Sequence, residues 1–161
     1  MIAVGVDPRV TGAQRYSVDV EREGMLHAAF VRSPHAHAEV REVDASAVPA
    51  ECVVLVPEDV AGLGPYGCQA RDQHVLAGPA RYAGDVVAAV AAPTREAARA
   101  AARLVEVGYE ERPAVFDAVA AVAPGAPLLH ADAAASAQDA VSIGVRPLAG
   151  TNVCHRFQIH H

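Results

Sequence analysis

Three stretches of the chain are almost continuously apolar, and each has the length of a single β-strand. They lie at residues 25–31, 52–56 and 85–91. Apolar runs of this length, bounded by glycine, proline or acidic residues, predict strands of the buried type. Proline cannot donate a ladder hydrogen bond, so Pro34 is expected to interrupt the chain just after the first run.

Two further stretches alternate apolar and polar residues. Residues 16–20 (YSVDV) predict a strand, and Glu23-Gly24 predicts the turn that follows it. Residues 38–43 (AEVREV) predict another strand. Val40 and Val43 do not share strict alternation, which predicts a bulge or a bend in this strand.

The clearest helix signal begins at Thr94, a good N-cap residue, with Glu96 in the first turn where the helix dipole favours an acid. A strand is predicted next, at 104–109. Because strands bracket this helix in a βαβ-like unit over 85–109, the predicted fold class is α+β. The helix carries one apolar stripe, with arginines on the other face; the stripe is Ala97, Ala98, Ala101, Ala102 and Val105.

The remaining segments are shorter or irregular. Short helical pieces are predicted at 57–59 and 117–123, and a loop rich in glycine and proline at 62–80. Beyond Leu129 the chain becomes rich in alanine and serine, with a last alternating piece at 153–159. We therefore predict one domain over residues 1–130 and a linker-like tail over 131–161.

Composition narrows the class of protein. A length of 161 residues suits one domain with or without a tail, and 52% of the residues are hydrophobic although tryptophan is absent. No apolar run approaches the roughly 20 residues that a membrane span needs. The start MIAVGVDPRV lacks the basic and apolar regions of a signal peptide. We expect a cytoplasmic protein without a membrane partner.

Charge and cysteine content exclude further classes. The net charge is −6 with histidine neutral, whereas nucleic-acid binding needs a clustered basic face. Lysine is absent, which excludes Schiff-base chemistry and a P-loop. Cys52, Cys68 and Cys154 are odd in number and form no CxxC pair, so neither a disulfide framework nor a cysteine zinc site is expected.

One glycine-rich motif, GLGPYG at residues 62–67, matches the GxGxxG pattern of a dinucleotide-binding loop. Such a loop needs a strand before it and a helix that opens within it. Pro65 and the following GCQARDQHV show no helical period. We therefore interpret the motif as an irregular loop.

The stretch RSPHAHAEV raises the question of a metal site. His35 and His37 would point to the same side of an extended strand, and His27, His74 or His130 could add a third ligand. No HExxH or Cys/His spacing supports this, so we favour histidines at a strand corner. A Ser/His/Asp set and an acid/base carboxylate pair are not identifiable. We assign no catalytic, cofactor-binding or metal-binding residue.

The ordered set of motifs resembles one protein family. VTGAQRYSVDV, GMLHAAFVRSPHAHA, VPEDVAG, GPYG, RYAGDVVAAVAAPTREAARAAARLVEVGYEERPAVFD and APGAPLLH follow one another along the chain. This order is similar to that of the N-terminal α/β-hammerhead domain in the molybdenum-binding large subunit of xanthine dehydrogenase and aldehyde oxidase. The resemblance covers roughly residues 9–130 and continues more weakly through Asn152-Val153. It implies an α/β-hammerhead, with a mixed sheet and one main helix.

The resemblance also implies a function. Members of this oxidoreductase family hydroxylate purines, N-heterocycles or aldehydes at a molybdopterin-bound molybdenum, with oxygen taken from water. Electrons pass to iron–sulfur clusters and usually FAD, on neighbouring domains or subunits. The cofactor-contacting residues and the essential glutamate base lie downstream of the hammerhead, so none can be carried over to this chain. The implied role is a scaffold that packs on the molybdopterin-binding domains and frames the substrate channel, without catalysis of its own.

In this interpretation RSPHAHA corresponds to a strand-and-corner signature at a domain interface, and residues 131–161 lead to a molybdopterin-binding domain. An exposed apolar patch is expected where the other domains dock. Two alternatives stay open: a stand-alone interaction module built on a hammerhead sheet, and a metal binder that uses His27, His35 and His37. The residues expected at the interface are Arg32, His35, His37, Tyr66 and Gly67.

Overall fold

The computed structural model of the chain describes residues 6–67, 73–130 and 150–153. Within these residues, six strands form two three-stranded sheets. The strands are β1 (His27–Arg32), β2 (Ala38–Asp44), β3 (Val53–Leu55), β4 (Pro79–Ala80), β5 (Val86–Ala92) and β6 (Glu106–Glu111). The α-helices are α1 (Pro8–Thr11), α2 (Pro57–Val60), α3 (Arg95–Ala102) and α4 (Ala118–Ala121), and short 3-10 helices span Ser17–Asp19 and Ala61–Leu63.

The first sheet has the strand order β1-β5-β3 and the second has the order β4-β2-β6. All of these pairings are antiparallel. The chain crosses from the first sheet to the second between β1 and β2, and again through α3 between β5 and β6. The α+β class and the single main helix, α3, are confirmed.

The core lies between the sheets and under α3. Val87 and Val90 of β5 are fully buried, and each belongs to a cluster that includes side chains of the second sheet. Val31 and Val107 contact both clusters, so they join the two parts of the core. The core is made of small aliphatic side chains that are closely packed. A substitution that removes a methyl group from it leaves a cavity that the surroundings fill only in part, which destabilises the fold.

Helix α3 forms as its sequence predicts. The Thr94 side chain accepts a hydrogen bond from the Ala97 N–H at 3.1 Å, which satisfies one of the free donors of the first turn. Ala98 and Ala101 are buried, and the helix packs on β1 and β5. The apolar stripe thus faces the first sheet.

Three expectations about the structure require correction. Residues 16–20 are not a strand, because a 3-10 helix spans Ser17–Asp19. The Asp19 carboxylate accepts the Tyr16 N–H at 2.9 Å, a local hydrogen bond that competes with strand pairing. The strands that bracket α3 over 85–109 lie in different sheets, so they do not form a βαβ unit. The expected mixed sheet is likewise replaced, in the described residues, by two antiparallel sheets.

Other expectations are confirmed. The turn at Glu23-Gly24 is present, with Gly24 at a φ of 72°. The bulge in β2 lies between Val40 and Glu42, opposite the stretch of β6 that contains Gly108. Arg41 is the extra residue, because Val40 pairs with Tyr109 and Glu42 with Gly108, which are adjacent in β6.

The predicted tail lies largely outside the described residues, which exclude 131–149 and 154–161 as well as Cys68. The described part of the tail, residues 150–153, contacts the segment 121–129 near the predicted end of the domain. The Asn152 side chain accepts the Leu129 N–H at 3.1 Å and donates to the carbonyl oxygens of Ala121 and Pro127 at 3.0 and 2.8 Å. The boundary at residue 130 stays a prediction. Among the described residues, no helix has both the length and the apolar character to cross a membrane.

Candidate docking surface and the histidine corner

The segment RSPHAH turns the chain from the first sheet into the second. Ser33, which is 3% exposed, is buried at this corner. Its N–H donates to the Asp85 carbonyl and its own carbonyl accepts from the Gly84 N–H, both at 2.8 Å. Its hydroxyl oxygen accepts the His35 N–H at 3.1 Å. The corner therefore rests on the turn before β5.

That turn spans residues 82–85 and is closed by the Asp85 N–H, which donates to the Tyr82 carbonyl at 3.1 Å. Gly84 has a φ of 100°, a conformation that residues with a Cβ rarely adopt. The Arg32 guanidinium donates to the Gly84 carbonyl at 2.7 Å. The end of β1 and the start of β5 are thus joined through one tight turn.

His35 packs on the second sheet. Its ring centroid lies 4.8 Å from that of Tyr109, and the planes are tilted by 59°. Its Nδ1 lies 3.4 Å from Glu111 Oε1, an ion pair when the imidazole is protonated. The Glu111 side chain is 77% exposed, so this pair contributes little. Burial raises the pKa of Tyr109, although the hydrogen bond with Ser33 lowers it in part.

His37 contacts a different residue, Pro113. Its Nδ1 lies 2.7 Å from the carbonyl oxygen of Pro113, which can only accept, so Nδ1 carries the proton. Its own carbonyl accepts the Arg112 N–H at 2.9 Å. His37 therefore ties the chain that leaves β6 to the corner.

The structure does not bring His27 together with these two residues. His27 begins β1, paired with Ala92, and β1 extends roughly 16 Å to its other end at Arg32. In the described parts of the chain, no group of three or more His, Cys, Asp or Glu side chains could hold a metal ion. The contacts of His35 with Tyr109 and of His37 with the Pro113 carbonyl favour a structural role for these two residues.

Tyr66 and Gly67 lie in the loop before β4. Tyr66 pairs with Gln73 in an isolated bridge, with N–H to carbonyl distances of 2.7 and 3.1 Å. Gly64 has a φ of 66° and follows the 3-10 helix Ala61–Leu63; no α-helix begins in the described part of this motif. The interpretation as an irregular loop is confirmed for these residues.

Arg32 and Tyr66 lie near the same turn at 82–85. Arg32 donates to the Gly84 carbonyl, and Tyr66 lines a cavity of ≈ 260 Å³ together with Tyr82 and Asp85. The negative charge of Asp85 is the main cause that raises the pKa of Tyr82. Two of the residues expected at an interface are therefore placed at one turn.

The outer face of the first sheet is apolar throughout. Phe30, Ala89 and Leu55 are paired across the three strands, as are Ala28, Ala91 and Val53. We call these six residues the apolar face. The large members are partly open to solvent: Phe30 is 55% exposed, Val53 49% and Leu55 42%. The sequence predicts an exposed apolar patch but does not specify these residues. The feature that points to them is the continuous apolar character of their strands.

The second sheet carries charged side chains where the first carries apolar ones. Glu39 and Glu110 stand directly opposite each other on β2 and β6, an arrangement that is repulsive by itself. Arg41 hydrogen-bonds Glu110, and Arg112 lies 3.8 Å from Glu39 and 3.6 Å from Glu110. The hydrogen bond from Arg41 is the main cause that lowers the pKa of Glu110. This charged set suits contact with water.

Comparisons with known proteins agree with this architecture. The family described as aldehyde oxidase and xanthine dehydrogenase, a/b hammerhead domain, matches residues 11–113. A probable xanthine dehydrogenase subunit of Bacillus subtilis is 38% identical over 128 residues, 77% of this chain and 17% of that protein. The carbon monoxide dehydrogenase large chain of Afipia carboxidovorans is 37% identical over 133 residues, 75% of this chain and 16% of that protein.

A solved structure shows the same fold. The crystal structure of the Cu,Mo-CO dehydrogenase in its carbon monoxide reduced state matches with a TM-score of 0.69 and 38% identity, over 75% of this chain and 16% of that one. The chain thus spans only 16–17% of the length of these relatives. The family match includes both sheets and α3. The chain belongs to the aldehyde oxidase and xanthine dehydrogenase family, and its residues 11–113 match the α/β-hammerhead domain of that family.

Proposed function

We propose that this chain is the hammerhead part of a larger molybdenum hydroxylase, an oxidoreductase of the xanthine dehydrogenase and aldehyde oxidase type. It packs on the molybdopterin-binding domains and frames the substrate channel. The relatives named above are a subunit or a large chain of such enzymes and are about six times as long as the matched region. The rest of that length supplies the catalytic groups in this proposal.

The described residues do not fit a molybdenum site of their own. They contain no group of three or more side chains that could hold a metal ion. We therefore assign molybdenum–molybdopterin to the neighbouring domain or subunit, and iron–sulfur clusters and FAD to further domains or subunits. When bound there, the molybdenum centre supplies hydroxylation with oxygen from water.

In this proposal the chain contributes a structural scaffold and no catalytic group. Backbone hydrogen bonds join the corner at Ser33, between β1 and β2, to the turn at Gly84, between β4 and β5, so two of the connections between the sheets are tied together. We propose Arg32, His35, His37, Tyr66 and Gly67 as residues at the domain interface. The rings of His35 and His37 are held there by contacts within the domain, with the Tyr109 ring and with the Pro113 carbonyl oxygen. The cytoplasmic location stays a prediction.

The observation that carries the proposal is the hammerhead match over residues 11–113 in a chain that spans 16–17% of its relatives. The test is purification from the native cell through an affinity tag on this chain. Molybdenum is then measured by elemental analysis, and oxidation is assayed with xanthine and with aldehydes. Molybdenum and activity that co-purify support the proposal. A metal-free and inactive single chain contradicts it and favours a stand-alone interaction module.

A further inference from the structure

We infer that the apolar face of the first sheet is the docking surface for the molybdenum-binding domain of the same enzyme. This inference rests on the proposed function and deepens it, because it assigns the contact to six residues. They are Ala28, Phe30, Val53, Leu55, Ala89 and Ala91.

The strand sequences support a face that is covered. Strand β5 reads VVAAVAA and β3 reads VVL, with no polar position on either side. Continuous apolar runs are typical of strands that are buried on both faces, whereas a strand with one face in water alternates. Within the described chain, the inner face packs on the core through Val90 and Val54, and the outer face has no such cover. The sequence of this sheet therefore fits a second layer.

The second sheet provides an internal comparison. Strand β6 alternates in burial over most of its length. Arg41 of β2 pairs with Glu110 of β6, and Arg112, which directly follows β6, lies 3.8 Å from Glu39 of β2. The same chain thus carries one sheet adapted to water and another that is not. An exposed, contiguous apolar surface with a charged rim typically marks an interaction site. The rim here is Arg32, whose guanidinium lies 5.5 Å from the centre of the Phe30 ring.

Length and chemistry together indicate the occupant. The relatives continue for more than four fifths of their length beyond the matched region, so a large domain is available to cover the face. A face without charge or hydrogen-bonding side chains fits a permanent apolar interface, which resembles a domain core cut in half. The small Ala89 of β5 lies between the larger Phe30 of β1 and Leu55 of β3. We therefore expect an apolar ridge of the molybdenum-binding domain to lie along β5.

The first arm of the test uses surface substitutions in the native protein, purified through a tag on this chain. Phe30→Ser and Leu55→Arg change side chains that are half-exposed in the described chain. Each is expected to lower the co-purified molybdenum at least about tenfold, as for residues at the centre of an interface. Phe116→Ser and Val119→Arg are the matched controls, because these side chains are 87% and 78% exposed outside the sheet. They should leave molybdenum unchanged.

The second arm does not depend on whether the substituted domain folds as before. Leu55→Cys and Phe116→Cys are labelled with a maleimide in the native assembly, against the unsubstituted protein as background. Protection of position 55 and fast labelling of position 116 support the inference. Equal labelling of the two positions overturns it.

The outcomes separate the inference from the function on which it rests. In one outcome the unsubstituted protein carries molybdenum and Phe30→Ser and Leu55→Arg carry as much. That result overturns the docking face and leaves the proposed function intact. Unsubstituted protein without molybdenum overturns the proposed function. Protection of position 55 in a molybdenum-free symmetric dimer shows a second copy on the face, which overturns the assigned occupant.

Discussion

The Nδ1 atom of His37 lies 2.7 Å from the carbonyl oxygen of Pro113, at the point where the chain has just left β6. This contact shows why a histidine occurs at the corner. A protonated Nδ1 donates to the Pro113 carbonyl, and the same residue accepts the Arg112 N–H through its backbone. The imidazole therefore stabilises a strand end.

Replacement of His37 should cost stability according to the donor that the new side chain offers. His37→Ala removes the donor to Pro113 and is expected to destabilise the fold by about 1 kcal/mol, the net worth of a typical hydrogen bond. His37→Asn places an amide N–H near the position of Nδ1 and should recover part of that loss. Chemical denaturation of both variants measures the difference. Equal destabilisation by Ala and Asn would argue against the bond to Pro113.

Zinc binding should not depend on the corner. His35 contacts Tyr109 and Glu111 while His37 contacts Pro113, so the two rings serve different neighbours. Calorimetric titration with zinc is expected to give the same affinity for the unsubstituted chain and for His35→Ala. A clear fall in affinity on this substitution would restore the metal-binding alternative.

Gly84→Ala should destabilise the fold although there is space for the added methyl group. The strain arises because Gly84 has a φ of 100°, while nothing lies within 4 Å of the position that a Cβ would take. A residue with a Cβ in this region costs about 1–2 kcal/mol. Gly78→Ala is the matched control, since it also has open space and no such φ. Thermal unfolding of the pair tests this, and an equal midpoint for both would contradict the strain.

The ion pair between Arg41 and Glu110 on the second sheet should stabilise the fold at neutral pH and cease to do so in acid. The hydrogen bond from Arg41 is the main cause that holds the pKa of Glu110 below the ordinary glutamate value. Since the folded-state pKa is the lower one, the stabilisation is present above the ordinary value and is lost as the pH falls through the folded-state pKa. Arg41→Met should raise the pKa of Glu110 in an NMR titration. An unchanged pKa would mean that the pair does not form in solution.

Asn152 should protect the amide of Leu129. Its carbonyl oxygen accepts that N–H at 3.1 Å, while its amide group donates to Ala121 and Pro127. Asn152→Ala should therefore accelerate hydrogen exchange at Leu129. Asn152→Asp keeps the acceptor but loses both donors, so it should slow the exchange relative to Ala while still lowering the melting temperature. The same exchange rate in all three proteins would exclude this contact.

The elements that local chemistry determines could be predicted from the sequence. Thr94 and the stripe through Ala98 and Ala101 predicted α3, and the broken alternation at Val40 predicted the bulge. The strand predicted at residues 16–20 was wrong. Alternation over five residues does not reveal that the Asp19 carboxylate will accept the Tyr16 N–H and close a turn.

The sheet topology and the apolar face depend on pairing between distant strands. The partner of β5 is β1 on one side and β3 on the other, and no local pattern specifies these neighbours. A continuous apolar run also does not indicate which side faces the core. The register places Ala89 between Phe30 and Leu55 on one face, and the exposure of Phe30 and Leu55 shows that this face is directed outward.

The most direct test of the proposed role is a cryo-electron microscopy structure of the native protein purified through this chain. We predict a larger particle in which a molybdenum-bearing domain covers Phe30 and Leu55, while Arg41 and Glu110 face water. A particle in which Phe30 and Leu55 face solvent, or a chain that purifies without any such domain, would contradict this role.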